Sequence, residues 1–293
     1  MSAFLERLAQ AYDLAPHALV GGAAVALAAG VVGALLRWRR VAWAGLAVPS
    51  AGTAGVAFAL GGHATWHALG LPGHGPVEDV GLWAAWFTAA AVLLVVPVGR
   101  ARGRDGERAA ALCFVVSTTL AVLLVAESPH GDHEVASLAT GRALLFLSHE
   151  DMLLLRAAMP ALALVGVLLA RRVAHLSFDR DHARAAGRAV VSTELAFAGL
   201  FAALVALGVP RVGAPFLFAA LTVPSAAAER VAARPTTTAA VAGGVAALGF
   251  TVGATASVAW DWPFSTGVVA GLLATGAAVA LLGRGARALA GRG

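Results

Sequence analysis

Residues 37–57 read RWRRVAWAGLAVPSAGTAGVA, and the fold follows from how this stretch is understood. Three arginines, Arg37, Arg39 and Arg40, fall within four positions. They separate an apolar run, Ala18–Leu36, from a second one, Val41–Leu60, which is rich in alanine and glycine and carries Pro49. Arginine between two apolar runs of membrane-spanning length marks a loop, and arginine collects on the cytoplasmic side of a bilayer. The cluster therefore orients its neighbours. The run behind it predicts a small-residue helix with a proline kink, the kind that can line a translocation path.

Composition points the same way. The 293 residues are 59% hydrophobic and only 13% charged, against about 25% charged in a soluble domain. Mean hydropathy is +0.81. Apolar runs near the roughly 20 residues needed to cross a bilayer recur throughout, predicting an all-α, polytopic membrane bundle of about nine spans, a single transmembrane domain over 1–293. The net charge of +5 does not indicate nucleic acid, because the basic residues, all arginine, are scattered over short loops instead of one face. A single cysteine, Cys113, excludes an intrachain disulfide. Glu6, Arg7 and Asp13 near the start leave no basic region leading an apolar core, so a retained first span is expected in place of a signal peptide.

The nine expected spans are Ala18–Leu36, Val41–Leu60, Gly81–Val98, Ala109–Ala126, Met152–Ala170, Val190–Val209, Val212–Ala228, Ala239–Ala259 and Thr266–Leu282. Arginine clusters at 37–40, 100–108, 171–188, 230–234 and 284–292 occupy alternate loops. This predicts the N-terminus outside and the C-terminus inside. Seven of the nine histidines fall in the opposite loops. Val135–Ser148 is too short to cross and is expected to be re-entrant or interfacial. The seventh span is short, holds Pro215 and Pro224, and follows the sixth almost without a loop. Stretches such as GGAAVALAAG (21–30), AGTAG (51–55) and AGGVAALG (242–249) predict close helix approach, since small residues let backbones meet in a membrane.

Three features could carry chemistry. The loop LSFDRDHARAAGR (176–188) has a possible cap at Ser177 or Asp179, acidic residues first, basic residues later and Gly187 at the end, an order that suits a short helix and its dipole. Such a helix would project into the cytoplasm as a docking element; an ordinary solvated loop is the alternative. The outer loop ESPHGDHEVAS (127–137) gathers His130, Asp132, His133 and Glu134, with His149, Glu150 and Asp151 further on. Imidazole with carboxylate can bind zinc or manganese, although no strict ligand spacing is present. His63 and His67 would share a face if their segment is helical. No ionisable residue is expected deep in a span. That argues against a carboxylate proton relay. No GxxxxGK[ST] loop is present, so ATP hydrolysis is not expected of this chain, nor any other enzymatic activity.

Several stretches together resemble the permease subunits of ATP-binding-cassette importers for zinc, manganese and iron. LRWRRVAWAGLAVPSAGTAGVA (36–57) is similar to the family's arginine pair and small-residue helix. RAAALCFVVSTTLAVLLV (108–125) and HEVASLATGRALLFLSHEDM (133–152) look like the fourth-helix region and the approach to the next span. LSFDRDHARAAG (176–187) closely resembles the family's FD…A…G loop, carried by Phe178, Asp179, Ala183 and Gly187. RVGAPFLFAALTVPSAAAERVA (211–232) matches at Val212, Gly213, Ala220, Leu221, Pro224, Ala226 and Ala228.

The resemblance implies a helical fold like that of the vitamin B12 importer's membrane subunit. It implies a homodimer, two cytoplasmic ATP-binding subunits contacted through 176–188, and an extracytoplasmic metal-binding protein, in a bacterial inner membrane. A divalent metal would be cargo, with ATP on the partner and no cofactor held here. The chain departs from the pattern at one place. The family's second helix carries an aspartate and, four residues later, a histidine that hold the metal; the match through Gly45 and Gly55 puts Leu46 and Ser50 there. A metal chelate or other small solute as cargo, or a non-transporting membrane interaction subunit, are the alternatives.

Overall fold

A computed structural model of the chain describes residues 16–68, 79–101, 103–126, 149–178 and 189–290. Among the described residues there are nine α-helices and no strand: α1 (Pro16–Trp38), α2 (Ala44–Ala68), α3 (Val80–Ala101), α4 (Gly103–Ala126), α5 (His149–Phe178), α6 (Val190–Val212), α7 (Ala214–Ala228), α8 (Pro235–Trp260) and α9 (Phe264–Ala290). Each coincides with one expected span. Seven are long and apolar enough to cross a membrane, while Val80–Val95 and Ala214–Ala228 are shorter apolar helices. Residues 127–148 and 179–188, with the histidine–carboxylate loop, the expected interfacial segment and most of the expected docking helix, lie outside the described residues.

Helix ends follow local chemistry. Asp79 caps α3, its carboxylate accepting the Leu82 N–H at 3.0 Å, a donor the first turn would otherwise leave unpaired. Pro235 opens α8 at a position where its missing N–H costs nothing. Asp261 closes α8 in the left-handed conformation, with φ 55°. Helix α5 runs to Phe178, past the expected end at Ala170. Its last turns contain Ser177, whose hydroxyl donates to the Val173 carbonyl at 2.7 Å. The helix that Ser177 or Asp179 was expected to cap lies outside the described residues. Gly213, at φ 81°, supplies the one-residue break between α6 and α7, a conformation that only glycine adopts freely.

The described residues form two compact units. One comprises those of Met1–Arg40, Leu144–Leu200 and Ala219–Gly293; the other those of Val41–Ala143 and Phe201–Phe218. In the first unit, α1 is the central helix, and nearly all of Val25–Leu36 is buried. Gly30 faces the Ala242 carbonyl of α8 and Gly33 the Leu221 carbonyl of α7, both so closely that no Cβ would fit. Helices α8 and α9 meet through Gly249 and Gly253 on one and Gly267 and Gly271 on the other. Two GxxxG pairs thus form one backbone-to-backbone seam, which in a membrane gains dispersion and weak C–H···O contacts in place of a hydrophobic driving force.

The second unit is built on α2. Gly55 lies against the Trp83 carbonyl of α3 and Gly61 against the Leu124 carbonyl of α4. Ala54 and Ala57 pack with Ala121 and Val125, flanked by Phe87, Leu120 and Leu124. Phe58 packs at a tilt against Trp83, with ring centroids 4.7 Å apart, and against Phe87, at 5.6 Å. Aromatic contacts of this kind add to the apolar packing between helices.

Candidate functional site

Two regions carry the residues singled out by the sequence: the start of α2, and the end of α5 with the beginning of α6.

Between α1 and α2 the chain turns through Arg39 and Arg40. Arg39 N–H donates to the Leu35 carbonyl and Arg40 N–H to that of Arg37. Arg40 has φ 56°, a left-handed conformation that costs a non-glycine residue of order 1 kcal/mol. Tight turns at Val41–Ala44 and Ala42–Gly45 then lead into α2.

Pro49 lies early in α2 and removes the N–H that would meet the Gly45 carbonyl. The turn is braced by hydroxyls. Ser50 Oγ donates to the Leu46 carbonyl at 2.9 Å and Thr53 Oγ1 to the Pro49 carbonyl at 3.2 Å. At 3.6 residues per turn, Leu46, Ser50 and Thr53 fall on one face, and Gly52 and Gly55 on the opposite, packed one. All three are half-buried. The positions where the family's metal-holding pair would stand thus present an isobutyl group and a hydroxyl already bonded to backbone. Neither is a transition-metal ligand of consequence. Among the described residues no group of three or more His, Cys, Asp or Glu is placed to hold a metal. His63 and His67 both lie within α2, one turn apart.

At the other region, Phe178 ends α5 with 89% of its surface exposed. Leu176 of α5 packs on Val190 of α6. Beside them opens a recess of about 370 Å³ lined by Arg172, Leu176, Ala189 and Thr193. Thr193 is tied back to Ala189, its hydroxyl donating to that carbonyl at 3.0 Å. Of the four docking residues named from sequence, only Phe178 is among the described residues; Asp179, Ala183 and Gly187 are not, nor are His130, Asp132, His133 and Glu134.

The residue sequence reasoning missed is Glu194. It lies inside the expected sixth span, where no ionisable residue was anticipated, and it is buried. Arg39 donates to its carboxylate at 3.3 Å, with each side chain 9% exposed. A second pair, Arg37 with Glu229 at 2.6 Å, is far more open, at 38% and 31%. The recoverable signal was charge balance: Glu194 and Glu229 each stand at the arginine-bearing end of their helix. The pairs bring the 37–40 turn, the start of α6 and the end of α7 together. Gly283 of α9 lies against the Arg230 carbonyl at the same end. The 37–40 turn, the Arg230 region and the Gly283 region of α9 therefore share one end of the first unit. Arg156 lies within α5 and Arg211 within the last turn of α6, Arg211 donating to the Leu207 carbonyl at 3.0 Å.

Helices of this length and apolarity, with arginine at one end and a proline-bearing small-residue helix behind it, define a polytopic membrane protein with the features of a permease. The chain belongs to the ABC 3 transport family, whose pattern it matches over residues 11–284; it is a permease of an ATP-binding-cassette importer. No curated protein matches it in sequence. Among solved structures it is similar to PsaBC from Streptococcus pneumoniae, determined in complex with a Fab: 20% identity, TM-score 0.70, covering 96% of this chain and 94% of that one. It is also similar to a transporter described as of metal-chelate type, in an inward-facing conformation: 16% identity, TM-score 0.51, covering 95% and 91%. At these identities the likeness is one of fold.

Proposed function

We propose that the chain takes up a divalent transition metal, zinc or manganese, by alternating access driven by two copies of a cytoplasmic ATP-binding subunit. The reading includes a homodimer of this chain, delivery by an extracytoplasmic metal-binding protein, and placement in a bacterial inner membrane with the N-terminus outside and the C-terminus inside. Family membership across residues 11–284 is the observation that carries it. The arginine-bearing end would face the cytoplasm. There the exposed Phe178, the recess beside it and the Asp179–Gly187 segment would receive the ATP-binding subunit. The start of α2 would line the path, its glycine face held against α3 and its Leu46–Ser50–Thr53 face presented to cargo.

Reconstitution with the ATP-binding subunit and binding protein tests this. Zinc or manganese should stimulate ATP turnover, and replacing Asp179 and Gly187 should abolish transport while the chain still inserts. Turnover indifferent to every divalent metal would sink the proposal.

A second reading is favoured by one specific observation, the absence of ligand side chains at Leu46 and Ser50. A metal entering as a chelate brings its own donors and needs only a smooth, weakly polar wall, which leucine and two backbone-bonded hydroxyls supply. Competition between free and chelated metal in an uptake assay separates the two.

A further inference from the structure

Helices α8 and α9 form one hairpin of the first unit, and its two ends differ in chemistry. At one end stand the exposed Arg230, Arg234 and Arg284. At the other is the turn from Trp260 through Asp261 and Trp262 to Pro263, all four residues exposed. Along a helix rising ~1.5 Å per residue, Trp260 lies about 39 Å from Arg234. That matches the roughly 40–45 Å of a bilayer counted with its headgroup layers. Arginines in one layer therefore put the two indoles in the other. Between the ends, exposed Leu248, Val252 and Val258 of α8 and Leu273 of α9 are apolar. The hydroxyls of Thr251 and Thr255 donate to carbonyls of their own helix, both at 2.8 Å. A surface facing hydrocarbon needs its polar groups satisfied in this way. The turn is fixed by its own bonds. Trp262 N–H donates to the Ser257 carbonyl at 2.9 Å, and Ser257 Oγ donates to the Trp262 carbonyl at 2.8 Å. Phe264 meets Phe250 edge-on at 6.0 Å and seats the start of α9 on α8. Trp260 and Trp262 lie against each other, ring centroids 5.2 Å apart, yet keep 62% and 46% of their surface exposed.

We propose that the α8–α9 turn is a phospholipid site, in which Trp260 and Trp262 seat in the headgroup layer and Asp261 holds the ammonium group of a zwitterionic lipid. Indole suits that layer because its apolar body and polar N–H face different media. An ammonium is drawn both to an aromatic face and to a carboxylate. An anionic headgroup would meet only the charge of Asp261, since the turn carries no basic residue. A bilayer is favoured over a protein partner because the length of the hairpin sets the indoles at headgroup depth, whichever end faces the cytoplasm. The site depends on neither the cargo nor the ATP-binding subunit.

The test uses the full chain in phospholipid nanodiscs. Emission of the parent minus that of a Trp260→Phe, Trp262→Phe variant isolates these two indoles from the rest of the seven tryptophans. Lipid brominated near the glycerol should quench that difference about twofold more than lipid brominated at the chain ends, as interfacial depth requires. Equal quenching by the two would put the indoles in the hydrocarbon. Quenching by neither would leave them in water, where a protein partner could take them. Either result overturns the seat. The headgroup is read separately. The purified chain is offered phosphatidylethanolamine and phosphatidylglycerol with the same acyl chains in equal amounts, and the retained lipids are counted by native mass spectrometry. Asp261→Asn removes the charge and still tolerates the left-handed conformation. It should lower the ratio of bound ethanolamine lipid to glycerol lipid about threefold, in keeping with one exposed charge contact. A ratio unchanged by Asp261→Asn overturns the ammonium assignment. Both variants alter exposed side chains, so neither removes a core contact.

Discussion

Gly55→Ala is the sharpest test of how α2 is held. A Cβ on Gly55 would stand 2.5 Å from the Trp83 carbonyl oxygen and 2.8 Å from the Ala84 Cα of α3. Both are backbone atoms, so no side-chain rotation relieves the contact. Restoring an ordinary separation of 3.4 Å moves α2 and α3 apart by about 0.9 Å. A gap of that size forfeits roughly a quarter to a half of each dispersion contact across the interface. The contacts affected include Val56 with Ala84 and Phe58 with Trp83 and Phe87. Overpacking of this kind costs about 1–3 kcal/mol, and the backbone clash places it near 3. Replacing glycine by alanine inside a helix returns up to about 1 kcal/mol, leaving a net loss of about 2. Gly244→Ala is the matched control. Gly244 is exposed in α8 with nothing within 4 Å of its missing Cβ, so only the propensity gain remains. Heating the purified variants in detergent and following the folded peak by size-exclusion chromatography should place Gly55→Ala below the parent and Gly244→Ala at or slightly above it. A Gly55→Ala midpoint equal to that of Gly244→Ala would refute the packing argument.

Three further outcomes are expected. Removing Glu194 should lower the thermal midpoint more than removing Glu229, because its pair with Arg39 is much less open to solvent, whereas the exposed Arg37–Glu229 pair should cost under about 1 kcal/mol; thermal midpoints in detergent that fall equally would contradict the burial difference between the two pairs. Leu46→Asp combined with Ser50→His should create zinc or manganese affinity measurable by calorimetry in detergent, and no binding would show that cargo is held elsewhere. In a Cys113→Ser background, single cysteines near 290 should label with an impermeant reagent only after the membrane is opened, and cysteines near 75 before it; the reverse pattern would invert the topology.

Much of the fold was legible because a bilayer simplifies the physics. Spans need length and apolarity, and each expected run became a helix. The alternation of arginine clusters was equally readable, and Arg37, Glu229, Arg230 and Gly283 do gather at one end. Ends were harder, because caps act locally: nothing in the hydropathy of 171–178 says that α5 continues through Arg171, Arg172 and His175 to Phe178. Partner choice between helices was harder still. The glycines of α8 and α9 could be counted, but their mutual seam depends on rotation about each helix axis, which composition does not encode. Glu194 was overlooked for a related reason. A single carboxylate in an apolar run reads as a span edge until its arginine, 155 positions away, is seen beside it.

The two faces of α2 separate structure from chemistry. Gly52 and Gly55 on one side set how near α3 can come, and that spacing is a property of the fold, indifferent to cargo. Leu46, Ser50 and Thr53 lie on the other face, half-buried, with both hydroxyls bonded within their own helix, so the close approach to α3 does not depend on which side chains stand there. The frame of the metal-transporting pattern can therefore persist while its ligands are gone. What the altered face would lose is tight capture of a bare ion, because aspartate and histidine would lower the ion's energy in the path and leucine would not. Weak capture is no defect in an importer whose step is driven by ATP on another subunit, since a deep well in the path slows release. On this reasoning, selection of cargo would shift outward to the delivering protein or to the chelate itself. The sign of the Leu46→Asp, Ser50→His experiment then has a second part: the restored ligands should raise affinity and lower the rate of transport per ATP-binding subunit. Higher affinity with faster transport would show instead that the ligands serve the translocation step and that this chain carries something other than a metal ion.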